Sequence, residues 1–381
     1  MAIGNQGGGR SRTGPPGIRG TGIRETGIRG TGALIQAGLA AEAQRDGLDA
    51  VAGRYATLIP PAFLDLIEHP HDPIARQVVP HPDELHTAPQ EREDPIGDDA
   101  LSPVPGIVHR YADRALLKPL LVCPLYCRFC FRREHVGPGG GVLDDDALDV
   151  ALGWLRDHPA IGEVILTGGD PLMLSPRRLG RIMAALDGIA HVHTIRIHSR
   201  VPVADPARLD DALADTLAGD KSIWLVVHAN HAREFTPAAR AAIRRVQTRA
   251  IPVLGQSVLL RGVNDSVEAM EGLLRAMVAA RVKPYYLHQL DAAPGTQRFH
   301  VPIQEGLALL AALRGRVTGL AWPTYVLDIP GGHGKVPLGP GYLDPHAGRV
   351  RDPSGVSHPL APGPLDPEAA GHSLAARGAA G

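Results

Sequence analysis

The sequence predicts an α/β protein built around a partial (βα)6 barrel, with a helical region before the barrel and an extended segment after it. Six short β-rich runs recur along the second part of the chain, and helix-like stretches follow them. Polar residues stand just after these runs, where parallel barrels place their chemistry. With 381 residues, 44% of them hydrophobic, the chain can bury a core of this size.

The six strands are expected in ALLKPLLVC (115–123), GEVILTGGD (162–170), HTIRIHS (193–199), SIWLVVHAN (222–230), IPVLGQSVLL (251–260) and KPYYLHQLD (283–291). Segments such as SPRRLGRIMAALDGIA and SVEAMEGLLRAMVAARV have the apolar spacing of helices. This alternation predicts repeated βα units, and therefore a parallel sheet that curls into a barrel or part of one.

Composition divides the chain into four segments. Residues 1–32 are Gly-rich with repeated TGIR units, and we expect a disordered leader. Residues 33–105 mix helix-like runs with Pro-rich connections, and we expect a helical region. The barrel is expected over residues 106–340, and the Pro-, Gly- and Ala-rich residues 341–381 predict an extended tail.

The charge balance favours a small-molecule substrate. The 39 basic and 40 acidic residues give a net charge of -1, which does not attract nucleic acid. No apolar run reaches the roughly 18 to 20 residues that a membrane span needs, and the N-terminus lacks the apolar segment of a signal peptide. We therefore expect a cytoplasmic protein that binds neither nucleic acid nor membranes.

All three cysteines lie in CPLYCRFCFRR, directly after the first predicted strand, as Cys123, Cys127 and Cys130. Structural zinc usually has four ligands, so a zinc site here would need a histidine as well. Three thiolates suit a [4Fe-4S] cluster in which the fourth iron stays open to a small ligand. Buried structural thiols and a zinc knuckle are the alternatives.

Two further loops contain residues that can bind a ligand or a cofactor. In TGGDPL (167–172), Gly168 and Gly169 let a ligand approach the backbone beside Asp170, although an ordinary strand-to-helix turn has the same composition. In LDIPGGHGK (327–335), Lys335 follows a Gly-rich loop without the Ser or Thr of a nucleotide-binding loop. Such a lysine can form a Schiff base with pyridoxal 5'-phosphate (PLP), or it can be a simple exposed lysine.

Together, CPLYCRFCFRR, TGGDPL, SVLLRGVND (257–265), PYYLHQLD (284–291) and LDIPGGHGK resemble the lysine 2,3-aminomutase family of radical S-adenosylmethionine (SAM) enzymes. The resemblance covers about residues 33–359. It implies a radical SAM barrel with a [4Fe-4S] cluster on the three cysteines. The open iron of the cluster binds SAM, whose cleavage gives a 5'-deoxyadenosyl radical. Lys335 is implied to carry PLP through a Schiff base.

The resemblance also implies contacts with substrate and cofactors. Arg132 is expected at the substrate α-carboxylate and Arg114 at the PLP phosphate. Asp291 and Asp328 are expected to bind the distal ammonium group of lysine, which tolerates burial only when it is paired. The segment containing Gly168, Gly169 and Asp170 is implied to meet SAM. The remaining candidate cofactor contacts, each of which equally fits a polar strand end satisfied within the chain, are Ser199, His228, Asn230 and Gln256.

The reaction that the resemblance implies is an isomerisation of L-lysine to L-β-lysine, with electrons from a reductant such as flavodoxin or ferredoxin. One alternative is the related branch that modifies a lysine of elongation factor P, and another is a 2,3-aminomutase for a different amino acid. A non-catalytic iron-sulfur or metal-binding protein is a more distant alternative, and it gives Lys335 and the paired aspartates no role.

The sequence departs from the family pattern in three places. His333 stands where the family usually has glycine, and it would be strained if the backbone there required a positive φ. The chain lacks the further cysteines with which clostridial relatives bind an interfacial zinc. The Pro-rich tail also replaces part of the segment that helps relatives assemble. These differences leave a homo-oligomer open without implying one held by zinc.

Overall fold

The computed structural model describes residues 27–137, 139–339, 341, 343–344, 349–352 and 356–359. Near the N-terminus, the short strands β1 (Ile28–Arg29) and β2 (Leu58–Ile59) pair antiparallel. Ile28 is fully buried in an apolar core, so ordered structure begins before residue 33. The other residues of the expected leader, 1–26, lie outside the described residues.

A curled sheet of nine strands forms the centre of the molecule, in the order β11-β10-β9-β8-β7-β6-β5-β4-β3. Its strands are β3 (Ile107–Tyr111), β4 (Arg114–Leu120), β5 (Glu163–Gly168), β6 (Thr194–Ser199), β7 (Ser222–His228), β8 (Val253–Val258), β9 (Lys283–His288), β10 (Thr324–Asp328) and β11 (Lys335–Pro337). Neighbours from β4 to β10 are parallel, and the two edge strands are antiparallel. The fold is therefore an open half-barrel.

All six predicted strands are present, as β4 to β9, and this confirms the predicted fold class. Three strands of the sheet were not predicted from the sequence: β10, which adds a seventh parallel strand, and the two antiparallel edge strands. β10 carries Asp328 into the sheet, and β11 begins at Lys335. Asp328 and Lys335 are paired across these two strands, so a site residue lies on each of them.

Helices cover the outer face of the sheet and the N-terminal region. They are Gly30–Gln36, Arg45–Arg54, Pro61–Leu64 and Pro73–Val78 before the sheet, then Asp145–Arg156, Pro176–Asp187, Val201–Ala204, Asp211–Asp215, Pro237–Gln247, Val267–Ala279 and Ile303–Leu313. Several begin at a side-chain cap, such as Ser175 and Thr236. Alternate strand residues such as Leu117, Leu166 and Ile197 pack against these helices, so the intervening residues face the inside of the barrel.

The expected C-terminal tail is described only in part. A three-stranded antiparallel sheet consists of β12 (Leu343–Asp344), β13 (Arg349–Arg351) and β14 (Ser357–Pro359). The prediction for the remaining residues after 340 lies outside the described residues. Within the described part of the chain, no helix combines the length and apolarity that a membrane crossing requires.

Candidate active site

The loop with the three cysteines is fixed by apolar residues on both sides. Leu125 is buried in the core formed by the N-terminal helices, and Phe129 is buried in a second cluster with Leu260 and Phe299. The backbone N–H of Arg128 donates a hydrogen bond to the Gln77 carbonyl at 2.8 Å. The alternation of buried apolar residues with cysteines explains how the loop keeps one shape after β4 ends.

Buried charges reinforce the loop. Glu84 is fully buried, and its carboxylate accepts hydrogen bonds from Arg128 at 2.6 to 3.1 Å and from Arg133. Burial raises the pKa of Glu84, but the two guanidinium groups outweigh burial and hold that pKa below its usual value. The arginines around the cysteines are therefore part of the framework that positions them.

The three thiols are partly exposed, and their titrations influence one another, so they lie near each other. Burial, followed by the charge of Cys127, raises the pKa of Cys130 to about 11. The side chain of Arg200 donates a hydrogen bond to Cys127 Sγ at 2.7 Å. Soft donors next to a cation fit an iron-sulfur cluster, because positive charge stabilises the thiolates that bind iron.

A single-ion metal site is a different arrangement. Among the described residues, no three His, Cys, Asp or Glu side chains converge as ligands of one metal ion. A cubane cluster does not need such convergence, since each thiolate binds a different iron. The donor set of Cys123, Cys127 and Cys130 therefore fits a cluster, whose three ligands can stand farther apart.

The TGGD segment ends β5, and its glycines are required by the neighbouring strand. A Cβ on Gly169 would lie 2.4 Å from the backbone N and O of Val122, and Gly168 has a φ of +106°. The Asp170 carboxylate accepts backbone hydrogen bonds from Leu172 at 3.1 Å and from Arg200 at 2.6 Å. The segment therefore locks β5 against the cysteine loop, which is a different reason for glycine from the ligand approach expected from the sequence.

Four side chains that face the inside of the barrel, here called the lumen, have unpaired buried atoms. Among the described residues, the Nε2 atoms of His198, His228 and His288 and the Oε1 atom of Gln256 have no hydrogen-bond partner. Burial lowers the pKa of His228 to about 3 and that of His198 well below its usual value, so both imidazoles are neutral. Buried polar atoms without a partner are rare, and they fit a polar ligand in the lumen.

Lys335 reaches the lumen beside a carboxylate and an imidazole. Its Nζ contacts the Asp328 carboxylate and lies 3.2 Å from His288 Nδ1. Burial raises the pKa of Asp328, but the hydrogen bond from His288 and the charge of Lys335 outweigh burial and hold that pKa below its usual range. The same loop therefore supplies an amine and its counter-ion, which fits a lysine that binds an aldehyde cofactor.

Asp291 is the second acid of the expected pair. Burial, followed by the nearby charge of Asp328, raises the pKa of Asp291 to about 7. A carboxyl whose pKa is raised by burial and by a neighbouring carboxylate gains from an added cation. Asp291 and Asp328 therefore lie near each other, and Lys335 contacts Asp328.

Arg132 is connected to Asp328 through ion pairs, because Arg110 contacts both Asp98 and Asp328. Its Nε donates to the Asp98 carboxylate at 2.7 Å, and Nη1 lies 3.5 Å from Thr167 Oγ1. Arg132 and Asp98 line a cavity that Lys118 also borders. Asp98 orients the guanidinium, which retains the donors needed to bind a carboxylate.

Arg114 opens β4 and stacks on Tyr111, with its guanidinium carbon 3.7 Å from the ring centroid. The Tyr111 hydroxyl accepts a hydrogen bond from the backbone N–H of Lys335 at 2.8 Å. Arg114 is therefore one aromatic ring away from the loop that carries the lysine. This position is compatible with an anionic group of a cofactor attached to Lys335.

The loop before Lys335 accommodates His333 without a left-handed backbone. Gly331, Gly332 and Gly334 have φ values of +85°, +86° and +96°, whereas His333 is not among the residues with positive φ. The glycines take the conformations that side chains avoid. The strain considered for His333 is therefore absent.

Two of the candidate cofactor contacts are satisfied inside the chain. Asn230 bonds to Gln77 Oε1 at 3.1 Å and accepts from the backbone N–H of Val258 at 2.9 Å. Ser199 accepts from the backbone N–H of Val201 at 3.0 Å. These residues shape the ends of β6 and β7, whereas His228 and Gln256 keep unpaired atoms that face the lumen.

Several residues that complete the site were not predicted from the sequence. His288 lies inside PYYLHQLD, and its inward position in β9 could have been read from the alternation of that strand. Arg110, 3.7 Å from Asp328, follows the same alternation in β3. Glu234 and Gln77 have no local signal, because their partners are distant in sequence.

Comparisons with known proteins agree with this geometry. The radical SAM superfamily model matches residues 117–274, and the lysine-2,3-aminomutase model matches residues 310–349. The L-lysine 2,3-aminomutase of Clostridium subterminale is 40% identical over 75% of this chain and 69% of its own length. The enzyme of the same name from Acetoanaerobium sticklandii is 39% identical over 79% and 73%.

The enzyme of that name from Escherichia coli is 37% identical over 74% of this chain and 83% of its own length. Among solved structures, a radical SAM methyltransferase from Sphaerobacter thermophilus has a TM-score of 0.43 and 19% identity, over 58% of this chain and 68% of that one. With so low a structural score, the relationship rests on the sequence relatives.

Proposed function

We propose that this chain, which belongs to the lysine 2,3-aminomutase family of radical SAM enzymes, converts L-lysine to L-β-lysine. This family of isomerases implies a [4Fe-4S] cluster, SAM and PLP as cofactors. When bound, the cluster and SAM supply an organic radical that abstracts hydrogen, and PLP supplies an electrophilic carbon that carries the migrating nitrogen. The chain itself holds the reactants in place and excludes water.

The observation that carries the proposal is the position of Lys335. Its amine lies inside the lumen, in contact with Asp328 and His288 and among imidazoles with unpaired nitrogen atoms. Lys335 would hold PLP, and Arg114 would face the phosphate group. Cys123, Cys127 and Cys130 would hold the cluster, at the edge of the barrel where β4 ends.

His288 is placed to take a proton from Lys335. Burial lowers the pKa of His288, so the ring is neutral, and its Nδ1, 3.2 Å from Lys335 Nζ, accepts a hydrogen bond from the amine in the tautomer that does not donate to Asp328. An amine acts as a nucleophile only after it loses its proton. The neutral imidazole in that tautomer can take the proton, whereas Asp328, whose pKa is lowered, pairs with the charged amine.

The substrate would be held at both ends. Arg132 would bind the α-carboxylate through the donors that Asp98 leaves free, in the planar geometry that suits a carboxylate. Asp291 and Asp328 would bind the distal ammonium group, because a buried cation needs an opposite charge. A substrate without that ammonium group would leave the carboxyl of Asp291 without a cation in contact with it, whereas Asp328 keeps Lys335, and this supports lysine over a neutral amino acid.

The test is anaerobic reconstitution with iron, sulfide and PLP, followed by incubation with L-lysine, SAM and dithionite while β-lysine is measured by mass spectrometry. Dithionite replaces the physiological reductant, for which we propose a flavodoxin or ferredoxin. We expect β-lysine from the wild type and none from Lys335→Ala. Lys221→Ala is the matched control, because Lys221 bonds to a backbone carbonyl away from the lumen. SAM cleavage without β-lysine would contradict the proposed substrate.

A further inference from the structure

The guanidinium of Arg200 lies directly behind the cysteine loop. Arg200 follows β6, is 6% exposed, and donates a hydrogen bond from Nη1 to Cys127 Sγ at 2.7 Å. Its guanidinium carbon is 5.2 Å from the ring centroid of Phe63 and 5.6 Å from that of Phe129. A buried cation in this environment is poorly screened by water, so its charge acts strongly on the sulfur.

Groups on several elements fix this guanidinium. Its Nη2 donates to Gln77 Oε1 at 2.6 Å and to Glu234 Oε2 at 3.2 Å. The backbone N–H of Arg200 donates to Asp170 Oδ2 at 2.6 Å. Because both the backbone and the end of the side chain are held, Arg200 cannot turn away from the loop without breaking buried hydrogen bonds.

Glu234 balances the charge of Arg200. It is fully buried, and its second oxygen accepts backbone hydrogen bonds from Asn230 and His231, each at 2.9 Å. The carboxylate is therefore held beside the guanidinium by hydrogen bonds from two other groups. Cys127, Arg200 and Glu234 form a line of contacts that begins at an expected cluster ligand and ends at a fully buried carboxylate.

We propose that Arg200 raises the reduction potential of the iron-sulfur cluster through its hydrogen bond to Cys127, and that Glu234 limits this increase. Reduction adds negative charge to the cluster and its thiolates. Hydrogen bonds to the sulfurs and nearby positive charge favour the reduced form, and nearby negative charge opposes it. Arg200 is in this sense a positioning residue for electron entry.

The inference rests on the proposed cluster site but not on the reaction of lysine. Arg200 is not among the residues that contact Lys335 or Asp328 in the described part of the chain. Its partners are Cys127, Glu234 and Gln77 on the opposite side of the loop. Electron uptake can therefore be measured without substrate.

The experiment is a potentiometric titration of the reconstituted protein, without SAM or lysine, with the reduced cluster measured by electron paramagnetic resonance. At the wild-type midpoint potential, we expect the ratio of reduced to oxidised cluster to fall at least about tenfold in Arg200→Gln, which is about 59 mV for one electron. We expect the ratio to rise in Glu234→Gln. Opposite shifts distinguish charge tuning from a general loss of structure.

Two further variants complete the test. Arg200→Lys keeps the charge, so it should lie closer to the wild type than Arg200→Gln does. Arg208 bonds to the backbone carbonyls of Leu172 and Met173, and Arg208→Gln should leave the midpoint unchanged. The iron and sulfide content shows whether Arg200→Gln assembles a cluster. If it does not, the direction in which Glu234→Gln shifts the midpoint potential tests the proposal.

Shifts in the same direction, or no shift in a Glu234→Gln protein that holds a full cluster, would overturn the inference. A wild-type protein that binds no iron-sulfur cluster would instead contradict the proposed cluster site. A wild type with normal potentials that makes no β-lysine would contradict only the proposed reaction. The three failures are therefore separable.

Discussion

The cysteine loop and the lumen are both polar and buried, but they satisfy their polar groups differently. Around the loop, the carboxylate of Glu84 is paired with Arg128 and Arg133 within the chain, although the Nε atoms of Arg133 and Arg200 have no hydrogen-bond partner among the described residues. In the lumen, ring nitrogens of His198 and His288 have no partner among the described residues. Polar groups paired inside the chain stabilise the fold, whereas unpaired ones reduce its stability and are retained for a ligand.

The difference predicts that substitutions in the two regions have separable consequences. Around the loop they should lower the free energy of unfolding and the cluster content. In the lumen they should lower activity while the fold persists. The following substitutions test this separation, from the largest expected effect to the smallest.

Glu84→Gln should destabilise the protein by about 3 to 5 kcal/mol, because it leaves two buried arginines without a counter-ion. Urea-induced unfolding measures this loss. The control is Glu305→Gln, since Glu305 forms an exposed ion pair with Arg261 that is worth about 0 to 1 kcal/mol. Equal losses in both variants would show that the loop framework is no more important than a surface pair.

Asp328→Asn should lower kcat/KM for L-lysine at least about thirtyfold, since truncating one partner of a buried charge pair typically costs about 2 to 5 kcal/mol. It removes the carboxylate that contacts Lys335 and the expected ammonium clamp at once. Its loss of unfolding free energy should be smaller than that of Glu84→Gln. Steady-state kinetics and urea unfolding of the same preparation make the comparison, and a folding defect that explains the lost activity would contradict it.

Gly169→Ala should destabilise the junction between β5 and the cysteine loop by about 1 to 3 kcal/mol, because the added methyl group meets the Val122 backbone at 2.4 Å. Iron content after reconstitution and the melting temperature should both fall. Gly153→Ala is the matched control, since a Cβ there meets nothing within 4 Å in the middle of a helix. That variant should be slightly more stable than the wild type.

The pKa of Asp291, about 7, predicts a pH dependence of substrate binding. The ionised fraction of this carboxyl rises about tenfold between pH 6 and 8, so KM for lysine should fall by up to about that factor. Asp291→Asn should remove this dependence. His198 and His228 should not contribute, because their lowered pKa values keep them neutral throughout this range.

Ionisation of Asp291 should affect the stability of the protein in the opposite direction to its effect on lysine binding. Its pKa is raised above the unfolded value of about 3.9, so ionisation favours the unfolded chain as the pH rises from about 4 to 7. Relative to Asp291→Asn, the wild type should lose stability across that window. Urea unfolding of both proteins at pH 5 and pH 8 measures the difference, and parallel curves would contradict the raised pKa.

The sequence predicted the fold well because local signals define its units. Each of the six predicted strands has an apolar run of the right length, and capping residues such as Ser175 and Thr236 mark the helices that follow. The missed strand β10, in TYVLD, is short and stands close to a Gly-rich loop. Its place in the sheet depends on pairing with β9, and no local sequence pattern predicts that pairing.

The candidate site was predicted only as far as its residues carry motifs. Cys123, Cys127, Cys130 and Lys335 have recognisable spacing, and their positions remain predictions for bound cofactors. The line of contacts from Cys127 through Arg200 to Glu234 has no such spacing, because its members come from three separate segments of the chain. Long-range hydrogen bonds depend on register and packing, which short segments do not encode.

The most direct test of the account is to find which lysine binds PLP. The chain has only Lys118, Lys221, Lys283 and Lys335, and Lys118 also borders the cavity beside Arg132. Reduction of the PLP-loaded protein with borohydride, followed by digestion and mass spectrometry, locates the modified residue. If Lys335 forms the Schiff base with PLP as proposed, the pyridoxyl group should be found on Lys335. A label on Lys118, on another lysine or on none would contradict it.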